Sequence, residues 1–288
     1  MPEMPEVETL RKQLERVVVG QRIKGVKALR KKSFQGDPKK IRGKRIEEIG
    51  RKAKVMWWRL SGGRFLLVHL KMTGQLVYES KLKTQNLKIK TRIVGGHPTA
   101  DWVGELPSKH TRVILELEQG RLFFNDVRVF GWIKVVDEKR KEKELSKYGP
   151  DVNSKEFTVT YLKSVLESSK RPIKVVLLDQ KKIGGLGNIY SNDGLFYAGI
   201  DPRKPASQVA KNKQKVEQLW QSLRWVINQG LRYGGASERN YVHLDGLGGE
   251  YQNHFLVYGG GKCKKCGREL QKIKLGGRST WFCSQCQR

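Results

Sequence analysis

The sequence predicts an α+β protein in which a strand-rich first half is followed by a helical second half and a short cysteine-bearing hairpin. Apolar runs with strand-like patterning recur between about residues 21 and 136. Apolar residues recur at helical spacing over residues 157–166 and 209–227. Two C-x-x-C pairs near the end of the chain can organise a small unit without a large core. With 288 residues, of which 38% are hydrophobic, the chain is long enough to fold into two domains.

The first element is an amphipathic helix from residue 6 to about residue 19. Its apolar positions recur every three or four residues, with charged residues between them. They are Val7, Leu10, Leu14, Val17 and Val18. The pattern therefore predicts a helix whose N-terminal end carries the first few residues of the chain.

Pro2 precedes this helix, and a proline followed by glutamates is an ordinary helix start. Removal of Met1 would instead expose Pro2 as a secondary amine. Terminal amines have a reference pKa of about 8, so part of such an amine is unprotonated and nucleophilic at neutral pH. Glu3 and Glu6 lie close enough along the chain to move protons for it. These residues alone leave both interpretations open.

The strand-rich half contains apolar runs at residues 65–70, 113–117 and 122–124, with a turn at 118–120. They predict a β-sandwich or a barrel. Residues 80–110 form a long insertion that is basic at first and then rich in glycine and proline. The charged run DEKRKEKE at 137–144 is expected to be solvated. The sequence therefore predicts a first domain over 1–136, a linker over 137–150, a helical domain over 151–258 and a ribbon over 259–288.

The charge balance favours a polyanionic partner. The chain has 58 Lys and Arg against 28 Asp and Glu, which gives a formal net charge of +30. Counterion release makes nucleic acid the favoured partner. A ribosomal-type structural protein, a binder of anionic membrane surfaces and adaptation to an unusual intracellular milieu remain alternatives. No run is long enough to span a membrane and the start lacks a signal-peptide layout, so we expect a cytoplasmic protein.

Four cysteines in the last 26 residues have zinc-ribbon spacing. They are Cys263, Cys266, Cys283 and Cys286. Two short C-x-x-C pairs supply four thiolates for tetrahedral zinc, and four thiolates leave no open position for a substrate. Two disulfides are the alternative, which a cytoplasmic protein makes less favourable. The sequence therefore predicts one structural Zn²⁺.

Four further motifs occur along the chain, namely residues 50–54 (GRKAK), 69–74 (HLKMTG), 125–131 (NDVRVFG) and 185–190 (GLGNIY). With the Pro2-Glu3 start and the cysteine ribbon, they make the chain resemble the formamidopyrimidine-DNA glycosylase and endonuclease VIII family over essentially its whole length. The resemblance implies an N-terminal β-sandwich flanked by helices, and a helix–two-turns–helix domain that carries a zinc-ribbon hairpin. It also implies a bifunctional DNA glycosylase and AP lyase of base excision repair, which binds damaged double-stranded DNA as a monomer, associated with the nucleoid.

The resemblance assigns chemical roles to individual residues. Pro2 matches the family's Schiff-base nucleophile, Glu3 the general acid and base, and Glu6 its support. Lys54 matches a lysine near the lesion, and its alternative is a solvated lysine in a basic run. Because the damaged base must leave the helix stack, wedge residues are needed to fill the gap. The matching wedges are Met72, Arg128 and Phe130, although Met72 and Phe130 are each also compatible with ordinary core packing.

The remaining assignments concern the DNA backbone. Residues that match phosphate contacts of the family are His69, Asn188, Tyr258, Lys272 and Arg278, and Arg278 is also grouped with the catalytic residues. Lys174, in the helical half, is expected to help them bind DNA. A helix cap is the alternative for Asn188. The basic insertion is expected to add sequence-independent grip through Lys81, Lys83, Lys88 and Lys90. Asp193 replaces the family's usual glutamate, so we expect a shortened carboxylate in the lesion pocket.

The predicted lesion is an oxidised purine, 8-oxoguanine or a formamidopyrimidine. The glycine-rich stretch from residue 234 to 241 resembles the loop that closes over oxidised guanine, which we expect at about residues 233–250. Glycine-rich flexibility is the alternative for this loop. A glycosylase of the endonuclease VIII type for oxidised pyrimidines and a non-catalytic zinc-ribbon repair scaffold are the alternative functions.

Overall fold

A computed structural model describes residues 2–81, 92–96, 104–236 and 249–288. The chain divides into two compact units. The first comprises Met1–Lys147 and Gly234–Gly249, and the second comprises Tyr148–Tyr233 and Glu250–Arg288. In the described part of the chain, no helix is both long and apolar enough to cross a membrane.

The first unit opens with helix α1 (Met4–Val18), which confirms the predicted helix. Its stripe, including Leu10 and Leu14, is buried in the core of the unit. A capping box closes its N-terminus, in which the side chains of Glu3 and Glu6 each accept the other residue's backbone N–H. The apolar stripe therefore fixes the helix against the sandwich, and the capping box fixes where the helix begins.

Among the described residues, two five-stranded sheets form the body of this unit. Their strands pair in antiparallel fashion, except for the parallel pair of the second and tenth strands. Their strands are β1 (Ile23–Ala28), β2 (Phe34–Gln35), β3 (Ile46–Lys52), β4 (Val55–Leu60), β5 (Arg64–His69), β6 (Gly74–Ser80), β7 (Arg92–Gly96), β8 (Thr111–Leu117), β9 (Gly120–Asp126) and β10 (Trp132–Asp137). One sheet has the order β1-β8-β9-β6-β7 and the other β2-β10-β5-β4-β3. Side chains from both sheets, such as Leu76 and Val68, share one hydrophobic cluster, so the unit is a β-sandwich.

Part of the predicted insertion is an edge strand. β7 pairs with β6 in antiparallel register, from Gln75 opposite Gly96 to Glu79 opposite Arg92. A Cβ atom on Gly95 would lie 2.5 Å from Cδ1 of Leu10, so glycine allows α1 to approach this strand. Of the insertion's lysines, Lys83, Lys88 and Lys90 lie outside the described residues, whereas Lys81 is described and exposed.

The structure places a helix where the sequence predicts a linker. Helix α2 (Glu138–Leu145) begins after Asp137, whose carboxylate accepts the N–H of Arg140 at 2.9 Å. Glutamate and lysine are good helix formers, and an aspartate cap stabilises the first turn. The Lys141 ammonium lies 4.3 Å from the Phe65 ring centroid, so α2 packs on the sheet through a cation. The first segment of the first unit ends at Lys147.

The second unit is helical and closes in a hairpin. Its elements are α3 (Val159–Glu167), α4 (Ile173–Leu177), α5 (Asn188–Tyr197), α6 (Ala206–Ala210), α7 (Lys213–Arg232), a 3-10 turn at Tyr251–His254, β11 (Gln271–Leu275) and β12 (Arg278–Phe282). Helices α5 and α7 pack closely because glycines face bulky side chains. A Cβ on Gly194 would lie 2.8 Å from Leu223, and one on Gly230 would lie 2.4 Å from Tyr190.

Candidate active site

The register of three strands gathers distant residues at one end of a sheet. Val55 of β4 and Trp132 of β10 both pair with His69 of β5. Lys54 immediately precedes Val55, and Lys71 follows His69 by two residues. The first unit therefore collects several of the predicted site residues at this end of the sandwich.

The loop that carries Lys54 is tied to helix α1. Ala53 adopts φ 53°, a left-handed conformation that a non-glycine residue seldom takes. Arg51 donates from Nη1 to the carbonyl of Ala53 at 2.7 Å, and from Nε to the Glu8 carboxylate at 3.0 Å. Lys54 is only 4% exposed. The Glu8 to Arg51 connection therefore couples the position of this lysine to the helix that follows Pro2.

His69 is held as a neutral donor. The backbone N–H of Lys71 donates to its Nδ1 at 3.0 Å, so the ring proton is on Nε2. Burial lowers the pKa of His69 to about 3, and the charges of Lys71, Lys54 and Lys134 contribute to the same shift. His69 is therefore uncharged at neutral pH and presents an N–H that suits a phosphate oxygen.

Met72 lies in a tight turn between β5 and β6. Gly74 donates its N–H to the Leu70 carbonyl at 2.8 Å, and Lys71 has φ 53°. A Cβ on Gly74 would lie 2.3 Å from the Leu70 oxygen, so this turn requires glycine there. Met72 is half-buried rather than part of the hydrophobic core.

Arg128 and Phe130 stand on the neighbouring loop between β9 and β10. Phe130 is 51% exposed, and Arg128 is exposed as well. The Arg128 guanidinium carbon lies 4.7 Å from the Phe130 ring centroid, a cation–π pair. Val129 between them has φ 57°, which is unusual for a β-branched residue. The core-packing alternative is therefore wrong for Phe130, whose ring is presented to solvent.

Glu6 binds two backbone segments rather than standing free. One carboxylate oxygen accepts the N–H of Glu3 at 2.7 Å, and the other accepts the N–H of Ala236 at 2.7 Å. Pro2 and Glu3 are buried at the start of α1, and Glu3 is 2% exposed. Ala236 belongs to the predicted lesion-covering loop, whose residues 237–248 lie outside the described residues. Glu6 thus holds the backbone of Glu3 in place through this hydrogen bond.

Lys174, which the sequence predicts to bind DNA, lies in the interior of the second unit. Lys174 is 0% exposed. Its ammonium donates to Asn192 Oδ1 at 3.1 Å, to the Ser279 carbonyl at 3.0 Å and to Thr280 Oγ1 at 2.7 Å. These three bonds use all the donors of a lysine. Lys174 therefore joins α4 to α5 and to the cysteine hairpin.

Asn188 is the first residue of α5, and its side chain also turns toward the hairpin. Its amide donates to the Ser279 carbonyl at 3.1 Å. Gly187 is the residue at the cap position, so Asn188 is not the predicted alternative cap. This bond uses one of the two hydrogens on the amide nitrogen.

Asp193 is buried within the second unit. It is 0% exposed, and Oδ1 accepts the backbone N–H groups of Val257 and Tyr258 at 3.0 and 3.1 Å. The Tyr251 hydroxyl donates to Oδ2 at 3.1 Å. Burial raises the pKa of Asp193, and these hydrogen bonds oppose that effect. The carboxylate therefore holds the chain around Tyr258.

Three predicted DNA-binding residues of the second unit are near the cysteine hairpin. Arg278 and Lys272 are exposed, at the start of β12 and on β11. The Lys272 ammonium lies 5.5 Å from the Trp281 ring centroid. Tyr258 packs edge-on against the same ring at 4.7 Å. Trp281 thus orders one lysine and one tyrosine on the hairpin surface.

The four cysteines form one zinc site. Their sulfur atoms all lie within 4.8 Å of one another. Cys266 and Cys283 are 3.5 Å apart, and Cys263 and Cys286 are 3.8 Å apart. Tetrahedral Zn²⁺ with Zn–S bonds of about 2.3 Å requires sulfur atoms about 3.8 Å apart. The donor set therefore fits structural zinc, and the disulfide alternative is not adopted because all four cysteines are free.

Sequence reasoning missed the residues that position these loops. Thr73 and Asp126 connect the Met72 turn to the Arg128 loop, and Arg51 supports the Lys54 loop. Asp126 lies in the 125–131 motif, but the only local signal for its role was a polar residue at the end of a strand and just before a loop. Such a residue is equally typical of an exposed turn.

Comparison with known proteins identifies the relatives of this chain. Family models match residues 1–133 (formamidopyrimidine-DNA glycosylase N-terminal domain), 148–241 (formamidopyrimidine-DNA glycosylase H2TH domain) and 260–288 (zinc finger found in FPG and IleRS). The formamidopyrimidine-DNA glycosylase of Desulfitobacterium hafniense (strain DSM 10664 / DCB-2) is 33% identical over 296 residues, covering 100% of both chains.

Two similar solved structures contain DNA. A mutant of Lactococcus lactis FPG in complex with a Fapy-dG containing DNA superposes with a TM-score of 0.85, 31% identity and 100% coverage of both chains. The complex between Lactococcus lactis Fpg and an abasic site containing DNA has the same TM-score and identity over 99% of both chains. The chain therefore belongs to the formamidopyrimidine-DNA glycosylase family.

Proposed function

We propose that this enzyme excises oxidised purines, 8-oxoguanine and formamidopyrimidines, through a Schiff base on Pro2, and then cuts the strand by β,δ-elimination. As a family member it is a DNA glycosylase and AP lyase of base excision repair. The observation that carries the proposal is the start of α1. Pro2 and Glu3 precede a capped helix whose Glu8 is connected through Arg51 to the Lys54 loop.

The chemistry begins with removal of Met1, which frees the Pro2 nitrogen. That nitrogen attacks C1′, the glycosidic bond breaks, and the base leaves with its electron pair and takes up a proton. Glu3 donates a proton to O4′ as the sugar ring opens, which leaves an iminium between Pro2 and C1′. The iminium acidifies the C2′ proton, so the 3′ phosphate leaves by elimination. Loss of the 5′ phosphate follows, and water then hydrolyses the iminium and restores Pro2.

Exposure of the sugar requires the base to leave the duplex. We assign Met72, Arg128 and Phe130 to the space that the base vacates. A flexible thioether and an aromatic ring can separate stacked bases, and the guanidinium of Arg128 can hydrogen-bond the orphaned partner base. Their support is their place on two adjoining loops, one of which presents Arg128 and Phe130 to solvent.

The DNA phosphates are bound by a set of neutral and cationic hydrogen-bond donors. It comprises His69, Lys54, Asn188, Tyr258, Lys272 and Arg278. A neutral His69 donates from Nε2 without a titrating charge near neutral pH. Contacts of this kind hold the backbone without reading sequence, which suits an enzyme that searches DNA for damage.

The choice of lesion draws on a relative. A mutant of Lactococcus lactis FPG binds a Fapy-dG containing DNA, and this chain shares its fold across the full length. The deciding experiment is single-turnover excision in the presence of borohydride. Duplex with 8-oxoguanine opposite cytosine should give a covalent protein–DNA adduct, and duplex with thymine glycol should react much more slowly. A faster reaction with thymine glycol would favour an oxidised-pyrimidine enzyme, and no adduct with either lesion would favour a scaffold.

We also propose that the enzyme acts as a monomer on the chromosomal DNA of the cytoplasm. Its support is the net charge of +30, which opposes self-association and favours DNA. Sedimentation equilibrium with and without a short lesion duplex tests this proposal. A single protein mass per duplex is expected, and a stable dimer in either state would contradict it.

A further inference from the structure

We propose that Asp126 is a positioning residue that, together with Thr73, locks the Met72 turn and the Arg128 loop into one rigid wedge. This inference rests on the proposed function, since it assumes that both loops enter the duplex. It gives a role to a buried carboxylate that takes no part in the chemistry at the sugar.

Asp126 stands where the two loops meet. It ends β9 directly opposite Gly74, which begins β6, and it is 0% exposed. Oδ1 accepts the Thr73 hydroxyl and, at 3.2 Å, the backbone N–H of Arg128. The same Arg128 N–H lies 3.0 Å from Thr73 Oγ1, and Oδ2 accepts the N–H of Gly131 at 2.7 Å. One carboxylate thus binds both loops.

The backbone of Asp126 is itself fixed by β8 and the turn before it. Its N–H donates to the His110 carbonyl at 2.9 Å, and its carbonyl accepts Nε of Arg112 at 2.8 Å. The space around the carboxylate is also closed. A Cβ on Gly131 would lie 2.6 Å from Phe124 Cζ and 3.1 Å from Asp126 Oδ2. The hydrogen bonds therefore attach both loops to a strand end that is itself fixed in place.

The bonds lie on both sides of the strained residue. Val129 has φ 57°, and the N–H groups of Arg128 and Gly131 that flank it both bind Asp126. A β-branched residue leaves this conformation unless its surroundings hold it. The strained backbone keeps Arg128 and Phe130 in their cation–π pair on the loop surface. Without Asp126, we expect the loop to relax and to be ordered again each time it enters DNA.

This account predicts separate effects on opening and on chemistry. Asp126 touches neither Pro2 nor Glu3 in the described contacts, so its loss should slow eversion of the base and spare the amine. Asp126→Asn keeps the size but replaces one acceptor oxygen with a donor, which then faces an N–H or a hydroxyl. Thr73→Val keeps the shape and removes the hydroxyl, whereas Thr73→Ser keeps the hydroxyl.

The test uses the full chain with zinc and two DNA substrates. Stopped-flow fluorescence of 2-aminopurine beside 8-oxoguanine reports opening of the duplex. Borohydride trapping on an abasic site in an already unpaired bulge reports the reaction of Pro2. Asp137→Asn is the matched control, because Asp137 also accepts a backbone N–H but at the start of α2.

For Asp126→Asn and Thr73→Val, opening should slow by about tenfold or more, as expected for lost charge-assisted bonds. Trapping on the bulged site should stay within about twofold of the wild-type rate, and Thr73→Ser and Asp137→Asn should open DNA at the wild-type rate.

Equal slowing of opening and trapping, or unchanged opening in Thr73→Val, would overturn the inference. If Asp126→Asn does not fold, comparison of Thr73→Val with Thr73→Ser tests the inference. Wild-type protein that forms no adduct would instead refute the proposed function.

Discussion

The loop of Arg128 and Phe130 in the first unit contrasts with the surroundings of Lys174 and Asp193 in the second. In the first unit, motif residues such as Arg128 and Phe130 are presented to solvent by strained, hydrogen-bonded loops. In the second unit, Lys174 and Asp193 are fully buried and bonded within the unit. A match to the family's residues therefore does not distinguish a side chain that is exposed to solvent from one that is buried within a unit.

Zinc removal is expected to have the largest effect, and it acts on DNA binding by the second unit. The cysteine hairpin carries Lys272 and Arg278, and its structure depends on four thiolates rather than on a large core. Structural zinc supplies about 10 kcal/mol or more of folding free energy in small domains. Chelation should therefore abolish lesion-duplex binding in fluorescence anisotropy, and added Zn²⁺ should restore it. Undiminished binding by protein shown to be zinc-free would contradict the assignment.

A pair of substitutions sharpens the comparison between the units. Lys174→Met removes three hydrogen bonds of a buried ammonium. Ser279 and Asn192 keep the Asn188 amide and the Trp281 N–H as donors, whereas the Thr280 hydroxyl loses the lysine, so we expect the free energy of unfolding to fall by about 1–3 kcal/mol. Arg128→Met changes an exposed side chain and should alter stability by less than about 0.5 kcal/mol while slowing base excision.

Urea unfolding and single-turnover excision measure the two quantities for both variants. The contrast fails if Lys174→Met unfolds like the wild type but loses DNA affinity, since that result would return Lys174 to the phosphate contacts. A large loss of stability in Arg128→Met would equally remove the distinction.

The stability contribution of His69 depends on pH. Its pKa falls from the ordinary value of 6.5 to about 3 in the folded protein, so the unfolded chain binds a proton more readily between these values. The stability contribution is therefore complete above about pH 6.5 and is lost as the pH falls toward 3, with a limiting slope of about 1.4 kcal/mol per pH unit. The difference in unfolding free energy between wild type and His69→Gln should follow this curve. A difference that stays constant as the pH falls from 6.5 toward 3 would contradict the neutral assignment.

The smallest effect is expected at Arg51. Lysine in its place cannot hold both Glu8 and the Ala53 carbonyl with the same planar geometry, so the Lys54 loop should lose order. Single-turnover excision by Arg51→Lys should fall by about threefold to tenfold, with stability reduced by less than about 1 kcal/mol. Arg59→Lys is the control, because Arg59 pairs with Glu47 and Glu48 at the exposed edge of the sheet. Equal rates for both variants would remove Arg51 from the account.

Local patterns in the sequence predicted the features that depend on neighbouring residues. The stripe of α1, the alternation of the strands and the spacing of the cysteines each have a local cause. Burial of Lys174 has none, since its acceptors at Ser279 and Thr280 lie over a hundred residues away along the chain. The charged run at α2 was equally ambiguous, because glutamate and lysine favour both solvent and helix. The pairing of β7 depends on β6, outside the insertion itself.

The most direct test of the central claim is the location of the trapped sugar. The enzyme is reduced with borohydride on a duplex that contains 8-oxoguanine, the DNA is digested, and the protein is cleaved and sequenced by mass spectrometry. The account predicts a chain that begins at Pro2, with the deoxyribose remnant on the Pro2 nitrogen, and no adduct when that nitrogen is acetylated. A remnant on Lys54 or on another lysine, or an active enzyme that retains Met1, would contradict it.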